Sequence, residues 1–134
     1  MGAYIIVGGQ WGDEAKGLIS AYISARENAR FVARAGTGPN AEHGIFLEDE
    51  KTYLKCNQLP LGWIFNPDVS IMIGSGVAVN PEWLLKEVEK YNLWDRVFVD
   101  YRCPIVTSDH IEKERTSKGM SAIGSTMSGT GECR

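Results

Sequence analysis

The sequence predicts an α/β fold: a mainly parallel sheet with flanking helices, a P-loop-like strand–Gly-rich loop–helix at the N-terminus, and a small β-hairpin insertion. Three observations carry this expectation. Short β-rich runs recur at residues 4–7, 31–33, 69–73 and 96–100, of the kind a parallel sheet buries. Segments with apolar residues at helical spacing alternate with them. The first three runs each lead into a loop of small residues.

Taken in order, Tyr4-Ile5-Ile6-Val7 reads as a buried parallel strand. Gly8 and Gly9 end it, and a polar glycine-rich loop runs to Gly17. Leu18, Ile19, Tyr22 and Ile23 then mark one face of a helix. A second strand, Phe31-Val32-Ala33, leads to the loop Gly36-Thr37-Gly38-Pro39-Asn40. Residues 45–47 and 52–54 flank Glu48-Asp49-Glu50-Lys51, a hairpin with a solvated charged turn. A further strand, residues 69–73, ends at Gly74-Ser75-Gly76. Asn80-Pro81 is a helix start, a capping side chain followed by proline at the first helical position. Leu84, Val88 and Tyr91 line that helix to about Asn92, with Trp83 and Leu84 read as core, and residues 96–100 form the last strand. Residues 1–134 are expected to form a single domain, with 116–134 a flexible segment rich in Gly, Ser and Thr. His110, in a polar run, is read as solvated.

The bulk figures exclude several classes. With 134 residues, 43% hydrophobic and 23% charged, the chain is an ordinary globular domain. A net charge of −3 argues against a nucleic-acid partner or an anionic membrane surface. No run reaches membrane-spanning length, and Met1 leads into residues 3–7 without a basic leader, so neither a membrane span nor a signal peptide is expected. Cys56, Cys103 and Cys133 are odd in number and far apart, which suits reduced thiols in a cytoplasmic protein.

The first loop carries chemistry. A glycine-rich turn between strand and helix directs unpaired N–H groups and the helix dipole at one point, a natural anion site. Lys16 stands at the helix start, within reach of a phosphate. Asp13 sits in the same loop, where a carboxylate either holds magnesium or accepts a proton. This is not a standard P-loop: Gln10, Ala15 and Gly17 occupy the first Gly, second Gly and Ser/Thr positions of that motif. A tight strand-to-helix turn with Lys16 and Asp13 solvated is the plainer alternative.

Residues 9–17, GQWGDEAKG, closely resemble the G-Q-W-G-D-E-G-K-G signature of adenylosuccinate synthetases. Asn40-Ala41-Glu42-His43 resembles that family's N-A-G-H, and Leu59-Pro60-Leu61-Gly62 its L-P-S/T-G. Residues 76–82, GVAVNPE, resemble G-V-x-V-D-P-E, and residues 123–131 resemble I-G-T-T-x-x-G-x-G. Residues 100–103, DYRC, are like the compact archaeal members. The motifs come in the family's order and cover nearly the whole chain.

The resemblance implies a GTP-dependent, Mg2+-dependent ligase of purine biosynthesis. It joins L-aspartate to IMP through a 6-phosphoryl-IMP intermediate and works as a homodimer in the cytoplasm. Asp13 and His43 match its catalytic base and acid. Gly12, Asp13, Glu14, Ala15, Lys16, Gly17, Glu42, His43 and Gly44 match positions at the nucleotide phosphates. Asp13, Lys16, Asn40, Ala41, Ser125 and Thr126 match positions at IMP, and Asp13 with the Glu42 carbonyl matches the metal site. Ala15, Glu42 and Glu132 depart from the family's Gly, Gly and Pro. If position 15 needs a left-handed backbone, alanine there costs about 1 kcal/mol. A chain ending at Arg134 is expected to be inactive or feeble alone. Two other readings stay open: a non-catalytic paralogue acting as a nucleotide-binding or interaction module, and a phage-type relative using a guanine deoxynucleotide.

Overall fold

The computed structural model describes residues 2–12, 14–47, 51–117 and 125–133. The elements run α1 (Lys16–Arg26), β1 (Phe31–Arg34), β2 (His43–Phe46), β3 (Tyr53–Cys56), a 3-10 turn (Leu61–Trp63), β4 (Ser70–Ile73), α2 (Pro81–Lys90), β5 (Val97–Val99) and α3 (Ser108–Thr116).

Strands β1, β4 and β5 form a parallel sheet in the order β1-β4-β5, with Val32 beside Ile71 and Ile71 beside Val97. Strands β2 and β3 pair antiparallel as the expected hairpin, His43 opposite Cys56 and Phe46 opposite Tyr53. The turn at Glu48, Asp49 and Glu50 lies outside the described residues.

Alternation along the strands fixes which sheet face is buried. Val32, Ile71 and Ile73 point into the core with Val69, Val77, Leu59, Leu61 and Leu84. Phe31, Met72 and Phe98 stand on the opposite face and are exposed. Helix α2 opens as its sequence requires: the Asn80 side chain accepts the Trp83 N–H at 3.1 Å, with Pro81 first in the helix. Its buried residues are Leu84 and Val88, one turn apart; Trp83 is only half-buried.

One expectation needs correction. Residues 4–7 form no strand, and Ile5 and Val7 are 88% and 78% exposed. Their composition gives a preference for extended backbone, but a strand exists only through a partner's hydrogen bonds, which local sequence does not specify. The polar run beginning at Ser108, for which the sequence suggests no element, forms helix α3. Thr107 and His110 start it as a reciprocal cap, His110 Nδ1 accepting the Thr107 N–H at 3.1 Å.

Candidate nucleotide site

Helix α1 begins at Lys16, directly after the glycine-rich loop. Its first turn lies against β2 because Gly17 has no side chain: a Cβ there would sit 3.0 Å from His43 Cβ and 3.1 Å from Leu61 Cδ1. Gly44 is equally constrained, since the Tyr53 ring occupies the space a Cβ would need. These approaches leave a cleft of about 520 Å³ lined by the first loop (Gly12, Glu14, Ala15, Lys16, Gly17), by Ala41 to Gly44, and by Leu18 and Tyr53. Leu18 and Tyr53 were not read as site residues from the sequence; Tyr53 enters only through the hairpin register.

The cleft is charged but internally paired. Lys16 Nζ lies 2.8 Å from Glu14 Oε2, and Glu14 Oε1 accepts the Gln10 N–H at 2.5 Å. The Lys16 hydrogen bond, followed by the Gln10 amide, holds the Glu14 carboxyl below its ordinary range. Glu42 reaches out of the cleft to Lys55, 3.0 Å away. His43 is held below its ordinary 6.5, first by burial and then by the positive charges of Arg34 and Lys16. It is therefore a neutral imidazole at neutral pH, able to donate one N–H. Asp13 lies outside the described residues.

Ala15 takes a left-handed backbone, φ 54° and ψ 26°, at the N-cap of α1, with no side-chain hydrogen bond to the helix. The condition set by the sequence is met, and the alanine is strained. Ala15→Gly is expected to raise the unfolding free energy by roughly 0.5–1 kcal/mol, the relief exceeding glycine's extra unfolded-state freedom. A urea titration checks this; a lower midpoint would show that position 15 carries no strain.

Asn40, Ser125 and Thr126 do not line this cleft. They belong to two further loops that touch each other, since a Cβ on Gly38 would meet Thr130 Cγ2 at 2.8 Å. Ser125 Oγ accepts the Met127 N–H at 3.2 Å, and Thr126 Oγ1 donates to Ser128 Oγ at 3.2 Å. Each of the three loops holds one strained residue with positive φ that is neither Gly nor Asn: Ala15 (54°), Thr37 (33°) and Met127 (53°).

Sequence reasoning missed two charged side chains that hold backbone near these loops. Arg34, at the end of β1 and only 7% exposed, donates to the carbonyls of Gly36 (3.2 Å), Gly38 (2.6 Å) and Asn57. Glu87 of α2 accepts the N–H groups of Asn57 (2.5 Å), Gln58 (3.1 Å) and Leu59 (3.0 Å). The available signal was Arg34 itself, a charge on the inward side of a strand.

Among the described residues, no group of three or more His, Cys, Asp or Glu side chains is gathered to hold a metal. Magnesium needs no such cage. It takes one or two oxygen donors and completes its shell with water and substrate phosphates. The cleft offers donors of that hard-oxygen type in the Glu14 carboxylate and in backbone carbonyls, so the chemistry fits. No helix among the described residues is long and apolar enough to cross a membrane.

Open parallel sheets take ligands in loops at the carboxyl ends of their strands. The loops after β1 and β4 are of this kind, and the fold is that of an α/β protein with an open parallel sheet. The chain belongs to the adenylosuccinate synthetase family, whose family model matches residues 5–134. It is 45% identical to an adenylosuccinate synthetase of Archaeoglobus fulgidus over 132 residues, 98% of this chain and 38% of that protein. It is 42% identical to one from Methanococcus maripaludis over 131 residues, again 38% of the relative. The chain thus spans well under half the length of these curated relatives. Among solved structures it resembles a fully ligated adenylosuccinate synthetase from Plasmodium falciparum, with a TM-score of 0.84 and 28% identity over 94% of this chain and 30% of that one. It also resembles a cyanophage S-2L succinoaminodeoxyadenylate synthetase bound to dGMP and to dATP as an energy donor. There the TM-score is 0.75 and the identity 30%, over 92% of this chain and 34% of that one.

Proposed function

We propose that this chain forms the phosphoryl-transfer part of an adenylosuccinate synthetase, which joins L-aspartate to IMP with GTP as the phosphoryl donor. The observation that carries the reading is the cleft in which Lys16, at the head of α1, and the neutral His43 line one space. Membership of the family supports it.

In this reading the amides around Gly12 to Gly17 and the ammonium of Lys16 bind the GTP phosphates, Lys16 leaving Glu14 as the anion arrives. Asp13 takes the proton from purine N1, so that electron density moves to the 6-oxygen and makes it the nucleophile. His43 donates its N–H to that oxygen and stabilises the charge that develops there. The γ-phosphoryl passes to the 6-oxygen, the aspartate amine then attacks C6, and inorganic phosphate leaves. Asp13, Glu14 and the Glu42 carbonyl are the groups that would hold magnesium, which when bound neutralises charge on the phosphates. Asn40, Ser125 and Thr126 hold the IMP phosphate. The rest of the reading is a cytoplasmic homodimer in which residues 1–134 act as one domain.

The test is isotopic and uses the full-length protein. IMP carrying 18O at the 6-position is expected to deliver its label to inorganic phosphate, only when GTP and aspartate are both present. Turnover with the label absent from phosphate would overturn the mechanism. The similarity to the cyanophage enzyme gives a second reading, dGMP in place of IMP. Turnover with dGMP and none with IMP would establish it.

A further inference from the structure

Apart from Ile111, helix α3 is polar, and the one residue it buries is a carboxylate: Glu114, 2% exposed, between the exposed Lys113 and Arg115. A carboxylate is costly to bury unless its oxygens are satisfied. Both oxygens of Glu114 accept backbone N–H groups, Oε2 from Gly129 at 2.8 Å and Oε1 from Gly131 at 2.6 Å. Two amides two residues apart, converging on one anion, are a backbone nest closed by a side chain of the same protein. Gly129 admits no side chain here. Its φ is +76°, and a Cβ would meet Val106 Cγ1 at 2.8 Å and Ile111 Cγ1 at 2.9 Å.

The residue between the two clamped amides is Thr130. It lies against Gly38, in the loop that Arg34 holds by its carbonyls. Thr130 Oγ1 is 2.9 Å from Ser128 Oγ, which accepts from Thr126 Oγ1 at 3.2 Å. A chain of hydroxyls at every second residue therefore runs from the contact with the Gly36–Asn40 loop to Thr126. The carboxylate thus holds the amides on either side of Thr130, the residue at that contact.

We propose that Glu114 is a positioning residue for nucleotide monophosphate binding: by clamping the amides of Gly129 and Gly131 it sets the loop bearing Ser125 and Thr126 against the loop bearing Asn40. This rests on the reading of those three residues as the IMP phosphate site. Glu114 touches no ligand in this account and acts only through the loop.

The isosteric E114Q keeps the volume of the side chain but removes its charge and one acceptor oxygen. In the full-length protein, hydrogen exchange at the amides of Gly129 and Gly131 is expected to speed up by about tenfold or more, without any ligand. KM for IMP is expected to rise by a similar factor, with kcat and KM for GTP within about twofold of wild type. T130V, which cuts the hydroxyl chain and leaves the clamp intact, is expected to raise KM for IMP while leaving exchange at Gly129 and Gly131 unchanged. A general folding defect would move kcat and both KM values together and would overturn the proposal. So would an unchanged KM for IMP in E114Q. If the wild-type protein binds no IMP, the assignment of that nucleotide falls, and exchange then decides the clamp: rates unchanged in E114Q would overturn it as well.

Discussion

His43→Asn in the full-length protein is expected to lower kcat by roughly 10²–10⁴-fold, the usual worth of a positioned proton donor, with KM for IMP and GTP changed only a few-fold. The imidazole is neutral because burial and two nearby cations oppose its protonation. It enters the reaction already in the form that donates a single N–H to the 6-oxygen. The same substitution has a second, independent signature. In the unfolded chain His43 takes up a proton near its ordinary 6.5, whereas in the fold it does so only at lower pH. Between those two values the unfolded state binds more protons, so acid favours unfolding. The stability present above pH 6.5 falls as pH drops through that window, and is lost below the folded pKa. His43→Asn removes this contribution, so the variant's unfolding free energy should change less between pH 7 and pH 5 than the wild type's. A kcat within threefold of wild type would remove His43 from the chemistry, and an unchanged pH slope would contradict its burial as a neutral group.

Arg34→Met is expected to cost about 3 kcal/mol of folding free energy. The guanidinium is the donor for three carbonyls, those of Gly36, Gly38 and Asn57, in a position almost closed to water. Methionine fills much of the volume but leaves those oxygens without the donor, at roughly 1–3 kcal/mol for each buried group that water does not reach. The loss extends beyond one loop. Asn57 is held from both sides, its carbonyl by Arg34 and its amide by Glu87 of α2. The substitution therefore loosens the joint between β1, the end of the hairpin and α2 together. Denaturant unfolding monitored by tryptophan fluorescence measures the cost; a midpoint equal to wild type would mean that solvent replaces the guanidinium without loss.

What could be read from the sequence divides along a physical line. Helix α2 was legible because Asn80 and Pro81 cap it locally and Leu84 and Val88 repeat at helical spacing. The hairpin was legible because its two strands are neighbours in sequence. The cleft was legible because residues 9–17 and 40–43 carry chemistry in short motifs. Residues 4–7 misled because an apolar run states a preference and not a partner. Helix α3 was missed because its one buried residue is a glutamate, and apolar periodicity has nothing to detect there. Arg34, Glu87 and Glu114 escaped for a related reason. Glu87 finds its amides 28 to 30 residues away, and a charged side chain in a helix or strand reads as solvated until the fold brings backbone to it.

The uncovered sheet face has a thermodynamic consequence. Phe31, Met72 and Phe98 already meet water in the folded chain, as do Ile5, Val7 and Trp11. The heat-capacity increase on unfolding reports apolar surface newly hydrated, about 12–15 cal/mol/K per residue in an average globular protein. Side chains hydrated in both states add nothing to it. In these residues taken alone, the exposed part of those side chains therefore adds nothing to that increment.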